Sequence, residues 1–284
     1  TMAGKENKLV SLRKVIAESL KSQGVEYVFG VVGYPIIELG FACQRAGLKY
    51  VGMRNEQSAS YAAAAIGYLT GRPGACLVVP GPGVVHALAG LANASSNGWP
   101  CICIAGSSEV SQDGLGAFQE SLPPQGGAQL QLQYAASGMC KYAAKVTKAE
   151  RTPFYIEQAV RYAINGRPGG AYIEIAGDTL REKVGGVQYP PKCLDPPMVF
   201  ANPADVDRAM AVLANATSPL IIVGKGAAYA GAGRELLTIV EQTKIPFLPT
   251  PMGKGCLPDD HPLCMSSARS YALKHADAIL LVGA

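Results

Sequence analysis

Apolar residues recur along the first half of the chain in two alternating patterns. Spacings of three and four residues predict helices, while short unbroken apolar runs predict buried strands. The predicted helices are 10–23, 36–46, 56–69, 83–94 and 153–165, and Ser11 is the predicted N-terminal cap of the first. The predicted strands are 27–33, 49–53, 75–79, 100–105 and 171–175. Such alternation indicates a parallel sheet covered by helices on both faces.

The same alternation begins again in the last third of the chain. Its predicted helices are 205–214, 233–243 and 268–275, and its predicted strands are 219–223, 246–248 and 278–282. A proline-rich stretch at 189–197 has the character of an extended linker. We therefore expect two α/β domains, 1–185 and 202–284, joined by a linker at 186–201. Because the chain ends directly after a strand, we expect the second domain to be truncated.

Composition supports this reading and disfavours several classes of protein. Hydrophobic residues make up 49% and charged residues 16%, which is unlike a disordered or coiled-coil chain. The net charge of +4, without a long basic run, gives little support to nucleic-acid binding. The eight cysteines have no Cys-x-x-Cys spacing, so we expect buried apolar thiols such as Cys101 and Cys103 rather than a metal site or disulfides.

Targeting signals are weak. No apolar stretch approaches the ~20 residues that a membrane-spanning helix needs. The N-terminal residues are polar and lack the apolar core of a signal peptide. We therefore expect no membrane span and no secretion.

Three segments directly follow predicted strands of the first half, at 33–35, 54–56 and 80–83. Ligands of parallel sheets bind beyond the carboxyl ends of the strands. Glu56 is the main candidate there because it begins an alanine-rich helix that is too apolar for a surface. A carboxylate in a water-poor place can exchange a proton with a ligand nitrogen. The plainer alternative is a first-turn carboxylate that the helix dipole favours.

Motifs in the same order and spacing resemble one enzyme family. The segments 27–35, Arg-Asn-Glu-Gln at 54–57 and Gly-Pro-Gly at 81–83 resemble the pyrimidine-binding domain of thiamine-diphosphate enzymes. Later motifs are similar to those of 2-hydroxyacyl-CoA lyases, with oxalyl-CoA decarboxylase as a close relative. These motifs are Gly-Ser-Ser-Glu at 106–109, Gly-Ala-Phe-Gln-Glu at 116–120, Gly-Arg-Pro-Gly-Gly at 166–170, Gly-Lys-Gly-Ala at 224–227 and Pro-Thr-Pro-Met-Gly-Lys-Gly at 249–255.

The resemblance implies both a fold and a reaction. The fold is a parallel-sheet pyrimidine-binding domain followed by a truncated α/β central domain. The reaction is carbon–carbon cleavage of a 2-hydroxyacyl-CoA to formyl-CoA and an aldehyde one carbon shorter, through the thiamine diphosphate ylide. Two alternatives stay open, namely an oxalyl-CoA decarboxylase and a non-catalytic nucleotide-binding fragment. The motif at 116–120 favours the lyase.

The resemblance also implies roles for individual residues. Glu56 would promote the imino tautomer of the cofactor's pyrimidine ring, and the cofactor would contact Gly33, Pro35 and His86. The residues implied near the substrate are Tyr34, Phe118, Gln119, Met252 and Lys254. Those implied around ADP, a possible activator, or the CoA nucleotide are Arg161, Gly224, Lys225 and Arg269. The plainer alternatives are a half-buried histidine, ordinary turns and loop residues, and solvated helix faces.

The remaining expectations concern parts that the family has and this chain lacks. Family members bind Mg²⁺ through a Gly-Asp-Gly motif and paired asparagines, and this sequence contains no Gly-Asp-Gly. We therefore predict no metal ligands here and no lyase activity from the 284 residues alone. The family further implies an acyl-CoA substrate, a homodimer or homotetramer, and a peroxisomal or otherwise cytoplasmic location. The stretch 121–138 is longer than the family usually has.

Overall fold

The chain forms two compact units in a computed structural model that describes residues 9–112, 117–119 and 130–284. The first unit reaches Pro197, and the second is Met198–Ala284. The division falls inside the range 186–201 that the sequence suggests as a linker.

The first unit contains a parallel sheet. The strands of the first unit are β1 Val10–Ser11, β2 Tyr27–Val31, β3 Lys49–Gly52, β4 Gly74–Val78, β5 Cys101–Ser107, β6 Tyr142–Lys145, β7 Gly170–Ala176 and β8 Lys183–Val184. Six of them form one parallel sheet in the order β3-β2-β4-β5-β7-β6. The short strands β1 and β8 pair antiparallel to each other. The predicted parallel sheet is therefore confirmed.

Helices cover both faces of this sheet. They are α1 Leu12–Ser22, α2 Ile37–Arg45, α3 Glu56–Thr70, α4 Pro82–Asn97, α5 Leu130–Ala136, α6 Thr152–Ile164 and α7 Gly177–Arg181. One core contains buried residues of α1, α2 and α6, and the other contains those of α3, α4 and α5. In β4, Ala75 and Leu77 face the first core while Cys76 and Val78 face the second, as the two-residue period of a strand requires.

The buried cysteines behave as the sequence predicts. Cys101 and Cys103 are fully buried in β5, and all eight cysteines are free. Burial raises the pKa of the Cys101 thiol and raises the pKa of Cys43 to about 12. These thiols are therefore protonated at neutral pH and serve as apolar packing groups.

Two local features differ from the simple sequence pattern. Ser11 holds the predicted N-cap position of the helix, which begins at Leu12, but it also belongs to β1 and makes no side-chain capping hydrogen bond. A strand that the pattern does not predict, β6, lies between the predicted strands 100–105 and 171–175. Its sequence Tyr-Ala-Ala-Lys is short and has no β-branched residue, so it carries little strand signal. Its position beside β7 allows Lys145 to pair with buried Glu174 at 3.2 Å.

The proline-rich segment is extended but fastened to the first unit. Gln23 is 1% exposed, and its Nε2 donates to the carbonyl oxygens of Pro190 and Pro191 at 3.3 and 3.0 Å. Its Oε1 accepts the Cys193 N–H at 2.9 Å, and the Cys193 side chain joins the core of the first unit. The segment up to Cys193 is therefore part of the first unit and is not a free linker.

The second unit is smaller. Its parallel strands lie in the order β10-β9-β11 and are β9 Pro219–Val223, β10 Phe247–Pro249 and β11 Ala278–Val282. Its helices are α8 Pro203–Asn215, α9 Lys225–Tyr229, α10 Gly233–Thr243 and α11 Arg269–His275. The predicted strands and helices are all present, and α9 is an additional short helix. Across the described residues of both units, no helix combines the length and apolar character needed to cross a membrane.

Candidate functional site

The candidate site lies at the carboxyl ends of three adjacent strands. The chain leaves β2 at 32–35, β3 at 53–55 and β4 at 79–81, and these strands are neighbours in the sheet. Loops at this edge of a parallel sheet are the usual ligand-binding positions. The sheet order therefore brings the three segments singled out in the sequence to one edge.

Glu56 is the first residue of α3. The side chain of Asn55 caps this helix by accepting the Ser58 N–H at 3.1 Å. The Glu56 side chain is only 15% exposed, and its Oε2 lies 3.1 Å from Nδ1 of His86 on α4. His86 itself is 56% exposed. The site therefore pairs a largely buried carboxylate with an imidazole that reaches solvent.

The close packing of α3 against α4 brings these two side chains together. A Cβ atom at Gly90 would lie 2.0 Å from Oγ of Ser60, so the helices touch at this point without a side chain between them. Glu56 precedes Ser60 by one helical turn, and His86 precedes Gly90 by one turn. The expectation that α3 is too apolar for a surface is wrong on one side, because Leu69 is 74% exposed.

Two glycines near the carboxylate pack closely against Val79. A Cβ atom at Gly83 would lie 3.6 Å from Oε1 of Glu56 and 2.8 Å from Cγ2 of Val79. A Cβ atom at Gly33 would lie 3.2 Å from the other methyl group of Val79. A largely buried carboxylate that is paired with an imidazole at this edge fits proton exchange with a ring nitrogen, such as that of the aminopyrimidine of thiamine diphosphate.

Gln131 is a residue of this edge that sequence reasoning missed. It is 7% exposed and lies in α5. Its Oε1 accepts the Gly81 N–H at 2.8 Å, and its Nε2 donates to the Gly106 carbonyl at 3.0 Å. It therefore joins the turn after β4 to the end of β5. The sequence offers no signal for it, because it stands in a glutamine-rich stretch next to Gln133, which is exposed.

Tyr34 and Pro35 form the turn after β2. The hydroxyl of Tyr34 donates to Oε1 of Glu109 at 3.3 Å, and Arg181 pairs with the same carboxylate. The hydrogen bond from Arg181 to Glu109 raises the pKa of the Arg181 guanidinium. Pro35 is buried against Gly106, where a Cβ atom would lie 2.7 Å from its Cδ. Tyr34 is 44% exposed and available to a ligand.

Two residues predicted to face the substrate, Phe118 and Gln119, lie within the described range 117–119. Phe118 is 75% exposed, and Gln119 has a φ of 64°, a left-handed conformation that is uncommon for a residue other than glycine. Their role toward a substrate stays a prediction, as does the unusual length of 121–138, which lies mostly outside the described residues.

In the second unit, two predicted loops meet at the carboxyl edge of the small sheet. Gly224 follows β9 and Met252 follows β10, and a Cβ atom at Gly253 would lie 3.2 Å from Cα of Gly224. Lys225 begins α9 beside Gly224, and Lys254 is exposed in the second loop. The structure therefore groups these four predicted residues, while their ligands stay predictions.

The backbone N–H groups of Gly224 and Gly226 are occupied within the small sheet. The Gly224 N–H donates to the Val282 carbonyl at 2.8 Å, and the Gly226 N–H donates to the Gly283 carbonyl at 2.6 Å. A Cβ atom at Gly224 would lie 2.3 Å from Cα of Ala284. These glycines therefore allow the end of β11 to approach, and their N–H groups are not free to bind an anion.

The two arginines predicted near a nucleotide lie in different units. Arg161 is on α6 of the first unit, where its guanidinium pairs with Glu157, and this hydrogen bond raises its pKa. Arg269 is exposed at the first residue of α11 in the second unit. Their common role toward a nucleotide stays a prediction.

Comparison with known proteins identifies matching families for both units. Residues 10–130 match the model of the thiamine pyrophosphate enzyme N-terminal TPP binding domain, and residues 206–284 match the model of the thiamine pyrophosphate enzyme central domain. The chain is 51% identical to 2-hydroxyacyl-CoA lyase 1 of Homo sapiens over 99% of its own length and 48% of that protein. It is 53% identical to the Mus musculus protein of the same name over 97% of the chain and 46% of the relative.

A further relative is oxalyl-CoA decarboxylase of Escherichia coli (strain K12), which is 41% identical over 95% of the chain and 47% of that protein. The chain thus spans about half the length of the relatives it matches. The two family models lie on the two units that the structure separates. The chain belongs to the thiamine pyrophosphate enzyme family.

Proposed function

We propose that a protein containing this chain is a carbon–carbon lyase that cleaves a 2-hydroxyacyl-CoA to formyl-CoA and an aldehyde one carbon shorter. The single observation that carries this proposal is the largely buried Glu56 carboxylate at the carboxyl edge of the sheet, 3.1 Å from Nδ1 of His86. The names of the two mammalian relatives supply the substrate class.

Each residue of the site has a proposed part in holding the cofactor. When bound, thiamine diphosphate supplies a thiazolium ring. One carbon of this ring acts as the nucleophile, and the positively charged ring accepts electrons from the substrate. Glu56 would exchange a proton with a nitrogen of the pyrimidine ring, and His86 would hold the carboxylate from its Oε2 side. Gly33 and Pro35 would border the ring, since the turn after β2 lies at the same edge.

The substrate and nucleotide residues are proposed at two places. Tyr34, Phe118 and Gln119 would face the acyl part, and Met252 and Lys254 would lie near CoA. The proposed contacts of ADP or of the CoA nucleotide are the side chains of Arg161, Lys225 and Arg269, together with the backbone at Gly224 other than its N–H group, which donates to Val282.

Mg²⁺ is proposed as the second cofactor, with ligands outside this chain. No group of three or more His, Cys, Asp or Glu side chains within the described residues could hold a metal ion. A homodimer or homotetramer and a peroxisomal location complete the proposal by resemblance.

The experiment offers 2-hydroxyacyl-CoA and oxalyl-CoA separately to a full-length protein that contains this chain, with thiamine diphosphate and Mg²⁺. We expect aldehyde and formyl-CoA from the first ester, and the Glu56→Gln variant to lose about 100-fold or more of this activity. The matched control, Glu241→Gln on the exposed side of α10, should leave it unchanged. Release of CO₂ from oxalyl-CoA without cleavage of the hydroxyacyl ester would favour the decarboxylase instead.

A further inference from the structure

A cavity lies at the end of the large sheet opposite Glu56. It has a volume of about 520 Å³ and is lined by the segments that enter β2, β3 and β4. Its wall includes apolar side chains of Val25, Leu48 and Ile66. This edge is distinct from the carboxyl edge where the thiamine pyrophosphate site is proposed.

Basic side chains dominate the cavity. Four of them line it, namely Lys21, Lys49, Arg72 and Lys192, against one lining carboxylate, Glu26. Lys21 donates to the Ala46 carbonyl at 2.7 Å. Lys49 lies 3.1 Å from the Tyr27 hydroxyl, a hydrogen bond that raises the pKa of the lysine. The cavity wall therefore carries an excess of positive charge.

The end of the Lys192 side chain lies over Gly24 at the wall of this cavity. Gly24 has a φ of +85°, and a Cβ atom there would lie 2.8 Å from Cε of Lys192. A side chain at position 24 would therefore be both strained and in the way of the lysine. The segment that carries Lys192 is fastened by Gln23, which bonds the carbonyl oxygen of Pro191 at 3.0 Å.

Arg72 has a buried donor without an acceptor. Its side chain is 19% exposed, and Nη2 donates to Oδ1 of Asp195 at 2.9 Å. Its Nη1 is buried and has no hydrogen-bond partner among the residues that the structure describes. A buried guanidinium N–H without an acceptor is unfavourable, so this position favours an added anion.

We propose that this cavity binds the phosphate group of a small anion between Arg72 and Lys192. A guanidinium offers paired N–H donors that match phosphate oxygens, and a lysine adds a point charge. The carboxylate of Asp195 is the internal competitor for the same guanidinium, because it occupies one of the two terminal nitrogens. The proposal does not depend on the lyase activity.

Isothermal titration calorimetry with inorganic pyrophosphate, at constant ionic strength, tests this site in the purified protein. We expect saturable binding that Arg72→Met and Lys192→Met each weaken about ten-fold or more. Asp195→Asn should tighten binding several-fold, since it removes the competing charge while keeping an oxygen for Arg72. Because Asp195 is 78% exposed, this variant should fold normally even if Arg72→Met does not.

Two controls locate the anion. Lys183→Met removes an exposed charge of the same unit, and Lys274→Met removes an exposed charge of the second unit. Neither should change the affinity for pyrophosphate. An affinity that falls with either control, that is insensitive to Arg72 and Lys192, or that weakens in Asp195→Asn would overturn the proposal, as would the absence of saturable binding.

Discussion

Oε2 of Glu56 and Nδ1 of His86 lie 3.1 Å apart, although 30 residues separate them in the chain. The helices that carry them touch one turn further on, where Ser60 meets Gly90. The carboxylate is 15% exposed and the imidazole 56%, so the histidine links a hidden acid to solvent. The contact uses Nδ1 rather than Nε2, so substitutions that replace one or the other ring nitrogen should have different effects.

We predict that His86→Asn preserves the function of the pair and that His86→Gln does not. An asparagine amide nitrogen can replace Nδ1, whereas a glutamine amide reaches the position of Nε2. In full-length protein, the Gln variant should bind thiamine diphosphate about five- to ten-fold more weakly, and the Asn variant within about two-fold of wild type. Calorimetric cofactor affinity is the measurement, and His275→Gln on α11 is the control. Equal losses in both His86 variants would contradict a role for the Nδ1 contact.

Gly90→Ala should destabilise the first unit by about 3 kcal/mol, because its new methyl group would overlap Ser60. Ser60→Gly removes part of the obstacle at a cost of about 1 kcal/mol in helix propensity. We predict that the double variant is more stable than the sum of the two single effects, as measured by urea unfolding. Only partial rescue is expected, since the Cβ atom would also lie 2.8 Å from the Ser60 carbonyl carbon. Strict additivity would show that the helices do not meet there.

Gln131→Met should cost on the order of 2–4 kcal/mol in unfolding free energy. The substitution keeps the side-chain volume but leaves the Gly81 N–H and the Gly106 carbonyl without their buried partner. Gln133→Met, two residues further along α5 and exposed, is the matched control and should be near neutral. Similar stabilities of the two variants in denaturant unfolding would show that Gln131 does not join these strand ends.

Asp277 should make the protein more sensitive to acid. Its carboxylate accepts the N–H groups of Ser218 at 2.9 Å and Thr217 at 2.8 Å, and these bonds lower its pKa. A lowered pKa in the folded state adds stability above the unfolded value of about 3.9, and this stability is lost as pH falls through the folded pKa. Asp277→Asn should therefore lower stability at pH 7 and flatten its decline below about pH 4. Thermal unfolding of the variant and of the wild type, from pH 7 to below about pH 4, measures this change in stability.

The control for this pH series is Asp260→Asn, which changes an exposed carboxyl group in a turn of the same unit. It should leave the pH dependence of unfolding unchanged. If Asp277→Asn follows the wild-type curve, the two N–H bonds to the carboxylate do not contribute to stability.

Most of the secondary structure could be predicted from local pattern. The strands before Gly33 and Pro80 are short apolar runs, and the helix that begins at Glu56 follows directly on a strand. These signals act over a few residues, so they can be read without knowing the partner of each element. The strand β6 was missed because its identity comes from pairing with β7 rather than from its own residues.

The sequence by itself determined the alternation of strands and helices, the burial of the cysteines, and the placement of Glu56 at the end of a strand. Tertiary structure alone decided that His86 contacts Glu56, that Gln131 ties two strand ends, and that the glycine at 224 approaches β11. The physical reason is the distance along the chain over which each signal acts. Periodicity within a few residues records which face of an element is buried. The partner of a polar side chain, in contrast, depends on how distant helices and strands pack.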